Sequence, residues 1–354
     1  MATKKNKNGF IYFLIVVLAL VIINPLADKE IMPAQSIVQD KTKTKQSAPQ
    51  KKHSKPSFKQ KLPITEIIDT PYKVENHYPT QDVFDENICS IDQLHMDYKA
   101  SLTKATKRLS HQYHHHYYKL NNYLELNLYA VTMTKYFEKT LIERINVLHQ
   151  EYIKLLGSSA EREIKLYLVV TPERAEYDHY TSFYSDNLIE SLGVYFGGLN
   201  IAYIDYQNSD DKALKTAIHE TVHAMNAHII GKTPRMFNEG MAEFYENMTI
   251  KEGNIDIVFY TKQLTKTPYP LMQFFDYQQW ANLDILHLYY SSWAWIAFMY
   301  GDGNRVQSLI TFMEKEQVDP CSAFSAGESY KIFQESYSTL ETDFTEWQRN
   351  FNTQ

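Results

Sequence analysis

His219-Glu220-Thr221-Val222-His223 reads H-E-x-x-H, and the rest of the chain is best understood outward from these five residues. Histidines four apart stand one turn above each other on an α-helix, so both imidazoles can reach one zinc ion. The glutamate between them lies beside that ion, where it can act as general base on a bound water. The flanks predict a helix. Ser209-Asp210-Asp211 offers N-cap candidates and negative charge for its start. Leu214, Ala217, Ile218, Thr221, Val222, Met225 and Ile229 then recur at three- and four-residue steps. Gly231 is the expected stop, with Pro234 beyond it.

A catalytic zinc site needs a third protein ligand and leaves its fourth position to water. Met236-Phe237-Asn238-Glu239-Gly240-Met241-Ala242-Glu243-Phe244-Tyr245-Glu246 predicts a second short helix with Glu239 and Glu243 on one face. Glu239 is the expected ligand. Glu243, one turn on, is expected to accept a hydrogen bond from the free ring N–H of a ligand histidine. The opposite assignment, Glu243 on the metal and Glu239 in support, stays open. The small Gly240 and Ala242 should let this helix approach the first one closely. His228 is a weaker candidate, because H-E-x-x-H-x-x-G-x-x-H needs a glycine where Asn226 stands and a histidine six residues after His223, not five.

H-E-x-x-H followed by N-E-G-x-A-E resembles the gluzincins, the thermolysin- and aminopeptidase-like zinc metallopeptidases, and among them bacterial peptidase MA-like proteins with a short connection between the motifs. The resemblance implies a zincin-like fold, Glu239 as third ligand and Glu220 as catalytic base. It extends to roughly residues 120–350. Gly193 to Ile204 resembles the strand segment before the zinc helix, and Tyr289-Tyr290-Ser291-Ser292-Trp293-Ala294 resembles a Y-x-x-S-W element after it. The connection from His223 to Glu239 is shorter than in thermolysin or aminopeptidase N.

Around these motifs, Ile164 to Val170 predicts a strand and Gly193 to Asp205 a hairpin or bulged strand. Zincins present an edge strand beside the metal, to which an extended peptide can add. Hydrolysis also needs a donor for the developing oxyanion. Tyr289 is the candidate that fits the Y-x-x-S-W resemblance, with Tyr290 and His287 as alternatives. Leu288 to Tyr300 reads as a buried apolar helix in its own right. His114-His115-His116 is expected on a partly exposed helix, where neighbouring imidazoles point about 100° apart and cannot share one ion. No CxxC, P-loop or G-x-G-x-x-G supports redox, NTPase or dinucleotide chemistry.

The 354 residues suffice for a membrane segment, a linker and a sizeable domain. Lys4, Lys5 and Lys7 precede the apolar run Phe10 to Ile23, which favours a cytoplasmic N-terminus and an exported remainder. No good small-x-small cleavage site follows, so residues 1–27 are read as a signal anchor; cleavage there would instead secrete the domain. Residues 28–62 form a lysine-rich linker that cannot build a core. Residues 1–61 carry a net +9 and the whole chain −6, leaving −15 on the remainder, which argues against a nucleic-acid partner. Leu94 to Leu156 is expected to be helical, and Tyr330 to Phe351 one or two closing helices. Cys89 and Cys321 are the only cysteines and are candidates for a disulfide outside the cytoplasm.

The expectation is an α+β, zincin-like catalytic domain over residues 63–354, with a small mixed sheet, tethered to a membrane and facing out of the cytoplasm. Its cofactor would be Zn2+, held by His219, His223 and Glu239, and its partner a peptide or protein substrate. A zinc-stabilised scaffold without turnover and a cell-wall amide hydrolase are the alternatives.

Overall fold

The computed structural model describes residues 90–91, 98–185, 191–251, 253–257, 267–275 and 283–351, all within one compact unit, Val74–Gln354. The expected anchor, linker and Cys89 lie outside the described residues. Cys321 is disulfide-bonded. No helix among the described residues is long and apolar enough to cross a membrane.

The architecture is α+β. A mixed five-stranded sheet has the order β1-β2-β3-β5-β4, built from His114–Lys119 (β1), Leu124–Ala130 (β2), Ile164–Thr171 (β3), Gly193–Phe196 (β4) and Ile201–Asp205 (β5). β2, β3 and β5 run parallel at the centre, and β1 and β4 close the edges antiparallel. The central strands are the apolar ones, as strands covered on both faces must be. Leu126, Leu128, Leu166, Leu168, Val170, Ala202 and Ile204 face the main helical core. The alternating positions Val169, Ile201 and Tyr203 meet a smaller aromatic cluster with Tyr113, Tyr177 and Tyr180.

The helices of the main core are Lys135–Leu156 (α2), Asp210–Ile229 (α4), Arg235–Glu246 (α5), Ile285–Tyr300 (α7), Gly303–Glu316 (α8), Ala326–Ser336 (α9) and Leu340–Phe351 (α10). Shorter helices Tyr98–Lys107 (α1), Arg174–Thr181 (α3) and Leu271–Phe275 (α6), and a hairpin of Met248–Lys251 (β6) with Asn254–Ile257 (β7), complete the described elements. Ser209 caps α4 by accepting from the Lys212 N–H, and Gly231 follows the helix at φ 107°, the left-handed region that suits glycine. α7 is buried nearly all round, as its apolar sequence predicts.

Three expectations need correction. Leu94 to Leu156 is not continuously helical, because β1 and β2 form an antiparallel pair within it. Leu124, Leu126, Leu128 and Ala130 alternate inward, which is strand periodicity. His114-His115-His116 therefore lies on an edge strand, where His115 stacks on Tyr129 at 4.6 Å and contacts Asn127 at 3.0 Å. Gly240 faces α7 rather than the H-E-x-x-H helix: a Cβ there would meet the Ser292 carbonyl oxygen and Ile296 Cγ1 at 2.7 Å each. Ser292 belongs to the Y-x-x-S-W element, so close backbone packing joins the two motifs.

Glu316, 1% exposed, ends α8 with Oε1 accepting from the Phe324 N–H at 3.2 Å. Its Oε2 has no hydrogen-bond partner among the described residues. Burial pushes this carboxyl up to about 8, the Phe324 N–H opposes the shift, and Glu328 and Asp319 add to it.

Gly240→Ala is expected to cost about 1–3 kcal/mol, read from the denaturation midpoint. Gly303→Ala, with open space at its Cβ position, should leave the midpoint unchanged. For Glu316 the folded-state pKa is raised. Above the ordinary carboxyl range and up to pH about 8 the folded chain keeps a proton that the unfolded chain has lost, so stability falls as pH rises through that window. Glu316→Gln should flatten this slope in a melting series across the same window.

Candidate metal centre

α4 carries His219, Glu220 and His223, and α5 carries Glu239. The two helices are fastened to each other by buried amides. Asn226 Nδ2 donates to Asn238 Oδ1 at 2.9 Å, and Tyr152 on α2 donates its hydroxyl to Asn226 Oδ1 at 2.6 Å. Asn238 immediately precedes Glu239, so this network sets where Glu239 stands.

His219, His223 and Glu239 are brought together. Glu239 Oε2 lies 3.5 Å from His219 Nε2 and 3.4 Å from His223 Nε2. The side chains are 14%, 11% and 13% exposed for His219, His223 and Glu239. The imidazole rings are nearly perpendicular at 4.8 Å between centroids, and all three donor atoms fall within 4.8 Å of one another. Glu239 Oε2 is buried without a well-directed hydrogen bond. Lone pairs thus converge on a common point. Donors about 2.0–2.1 Å from a tetrahedral zinc ion stand about 3.3 Å apart, close to the spacing seen. Donor set, burial and spacing therefore fit Zn2+.

The electrostatics follow from this crowding. Burial disfavours charge on both imidazoles, yet Glu239, with Glu246 at His219, raises both histidine pKa values. Burial likewise works against the Glu239 carboxylate, and the two histidines overcome it and hold its pKa well below the usual range. Glu220 goes the other way: burial raises it, with the histidines opposing.

Glu220 is 4% exposed and sits against the edge strand β4. The Asp205 N–H donates to the Leu192 carbonyl at 2.8 Å, which makes that pair a hydrogen-bonded one. By alternation, the backbone groups of Gly193 and Tyr195 point away from β5. The outward N–H of Tyr195 is the one that Glu220 accepts. Gly193 permits this approach, since a Cβ there would stand 2.7 Å from Glu220 Oε1 and 2.4 Å from Thr216 Cγ2.

The carboxylate on the remaining ring nitrogen of His219 is not Glu243. His219 Nδ1–H donates to Glu246 Oε2 at 3.1 Å, and Asn247 Nδ2 holds the other oxygen of Glu246 at 3.1 Å. Glu246 follows Glu239 by seven residues, two turns along the same face, and so reaches the more distant nitrogen of the ring. Glu243 lies between, its pKa raised by burial and by repulsion from Glu246. Spacing from Glu239 could have pointed to Glu246 as readily as to Glu243.

Among the oxyanion candidates, Tyr289 is the one facing the cluster. Burial and the Glu239 carboxylate push its hydroxyl up to about 12, opposed by the Arg235 guanidinium that hydrogen-bonds it. His287 instead contacts the Thr267 carbonyl at 2.9 Å and packs at a tilt against Tyr269. Tyr290 packs beside Trp293. His228 donates to Asn200 Oδ1 at 2.9 Å. Arg235 was not singled out from sequence; its Nε lies 3.8 Å from Glu239 Oε1, one turn before Glu239 on α5.

No family model matches the chain, and no curated protein matches it.

Glu246→Gln is expected to weaken Zn2+ binding by about tenfold or more in chelator competition, and by more than Glu243→Gln does. The reverse order would return the histidine-orienting role to Glu243.

Proposed function

We propose that the chain is a zinc-dependent peptidase with a zincin-like catalytic domain. One observation carries the proposal: two imidazole nitrogens and a carboxylate oxygen converge at 3.4–3.5 Å beside a further buried carboxylate, Glu220. A purely structural site has no need of that fourth group.

His219, His223 and Glu239 would hold the ion. When bound, zinc supplies the acidity that activates a water and the Lewis acidity that polarises a scissile carbonyl. Glu220 takes the proton of the attacking water and passes it to the leaving amine. Its link to the Tyr195 N–H fixes that carboxylate against β4. β4 ends the sheet beside Glu220, and the part of its outer edge that Glu220 leaves free is where an extended peptide can add as a further strand. Tyr289, kept protonated by its surroundings, donates to the oxyanion. His219 is held in one tautomer by Glu246.

The domain is further proposed to face out of the cytoplasm, tethered by residues 1–27 through the linker 28–62. The lysine-flanked apolar run supports this, and so does the disulfide at Cys321. Peptides or proteins are the proposed substrates.

Glu220→Gln is expected to retain zinc, measured by elemental analysis, while cleavage of a mixed peptide library falls by about 100-fold or more. Undiminished cleavage by this variant would sink the mechanism.

A further inference from the structure

Arg235 opens α5 and stands on the same face as Glu239, four residues on. Its Nε lies 3.8 Å from Glu239 Oε1, whereas the other oxygen, Oε2, is the one near both histidine Nε2 atoms. The same guanidinium hydrogen-bonds Tyr289 on α7. The Arg235 side chain is 40% exposed, so it stands at the mouth of the cluster rather than beneath it. An arginine has only donors, so the Tyr289 oxygen accepts in this contact and the phenol keeps its proton for donation. A planar fork can serve two acceptors on different elements in fixed geometry, which a lysine cannot.

We propose that Arg235 is a positioning residue of the candidate metal centre: its charge draws Glu239 Oε1 to its own side, so that Oε2 is the oxygen presented to the ion, and it orients the Tyr289 hydroxyl toward the substrate oxygen. This rests on the zinc-peptidase reading. It adds a division of labour between the two oxygens of one carboxylate. It also links α5 and α7 at the site mouth, in addition to the packing of Gly240 on Ser292.

The test compares the full chain with Arg235→Gln and Arg235→Lys, each checked for native circular dichroism, using Zn2+ and Co2+ as probes. In Arg235→Gln, release of Oε1 should add a ligand oxygen, so the visible absorption of the Co2+-loaded protein should lose intensity. On the best-cleaved peptide of a mixed library, kcat should fall by about 10- to 100-fold with a smaller change in KM. Arg235→Lys should recover part of the charge effect on Glu239 and little of the kcat. A natively folded Arg235→Gln with an unchanged Co2+ spectrum overturns the proposal. If the wild-type chain loads Co2+ but cleaves no peptide, the peptidase reading fails, and the spectra alone decide the role of Arg235. If it loads neither ion, both are overturned.

Discussion

A carboxylate oxygen held between two imidazole nitrogens, all three largely withdrawn from solvent, is the arrangement on which the rest of this fold depends. Burying an ionised carboxylate is costly unless opposite charge stands beside it. Glu239 meets that cost through His219, His223 and Arg235, which come from the neighbouring helix and from its own first turn. The arrangement survives only if α4 and α5 keep their spacing. Two devices hold it. The Tyr152–Asn226–Asn238 chain joins three helices through satisfied amides, so a slip of α5 along α4 would leave buried polar groups unpaired. On the other side, Gly240 seats α5 directly on the Ser292 carbonyl, allowing no side chain between the backbones.

The sheet contributes through its edge. Central strands covered on both faces provide stiffness, and the antiparallel hairpin of β4 and β5 brings outward-facing backbone groups beside α4. A side chain at position 193 would displace Thr216 and Glu220, which fill the space a Cβ would take. The Arg174 guanidinium steadies the approach to this strand. It donates to the Ser191 carbonyl at 2.6 Å and lies 3.7 Å from the buried Asp205 carboxylate at the end of β5. The position of Glu220 is thereby set by both the helix that carries it and the strand it leans against.

Much of this was legible in the sequence because it is local. Ser209, the apolar steps of α4 and Gly231 define one helix by capping and periodicity, and the candidate pair Glu239 and Glu243 follows from a spacing within a single short helix. Asn226 and His228 lie within the helix, as their sequence context predicts. Relations between distant elements were not legible. Whether Gly240 packs on residues before or after it depends on Ser292, 52 positions away. Glu243 and Glu246 are both compatible with the face of Glu239, and only the ring orientation of His219 chooses between them. β1 and β2 were hidden because a tyrosine- and histidine-rich edge strand resembles the polar face of a helix, although the Leu124–Ala130 alternation was present.

One residue type takes opposite characters within this small volume, and the environments explain the division. Burial raises the pKa of any carboxyl, and it acts on Glu220, Glu239 and Glu243 alike. What differs is the company. Glu239 has both histidines close to a single oxygen, so it stays anionic. Glu220 feels the histidines more weakly and also the negative charge of Glu239, so its proton affinity is raised. Glu243 is repelled by Glu246 and rises as well. Carboxyls pushed apart in this way are suited to different tasks: a permanently charged one to hold a cation, and one with raised proton affinity to accept and return a proton. The sequence offers four glutamates within 27 residues. Position relative to two imidazoles, rather than chemical identity, distinguishes them.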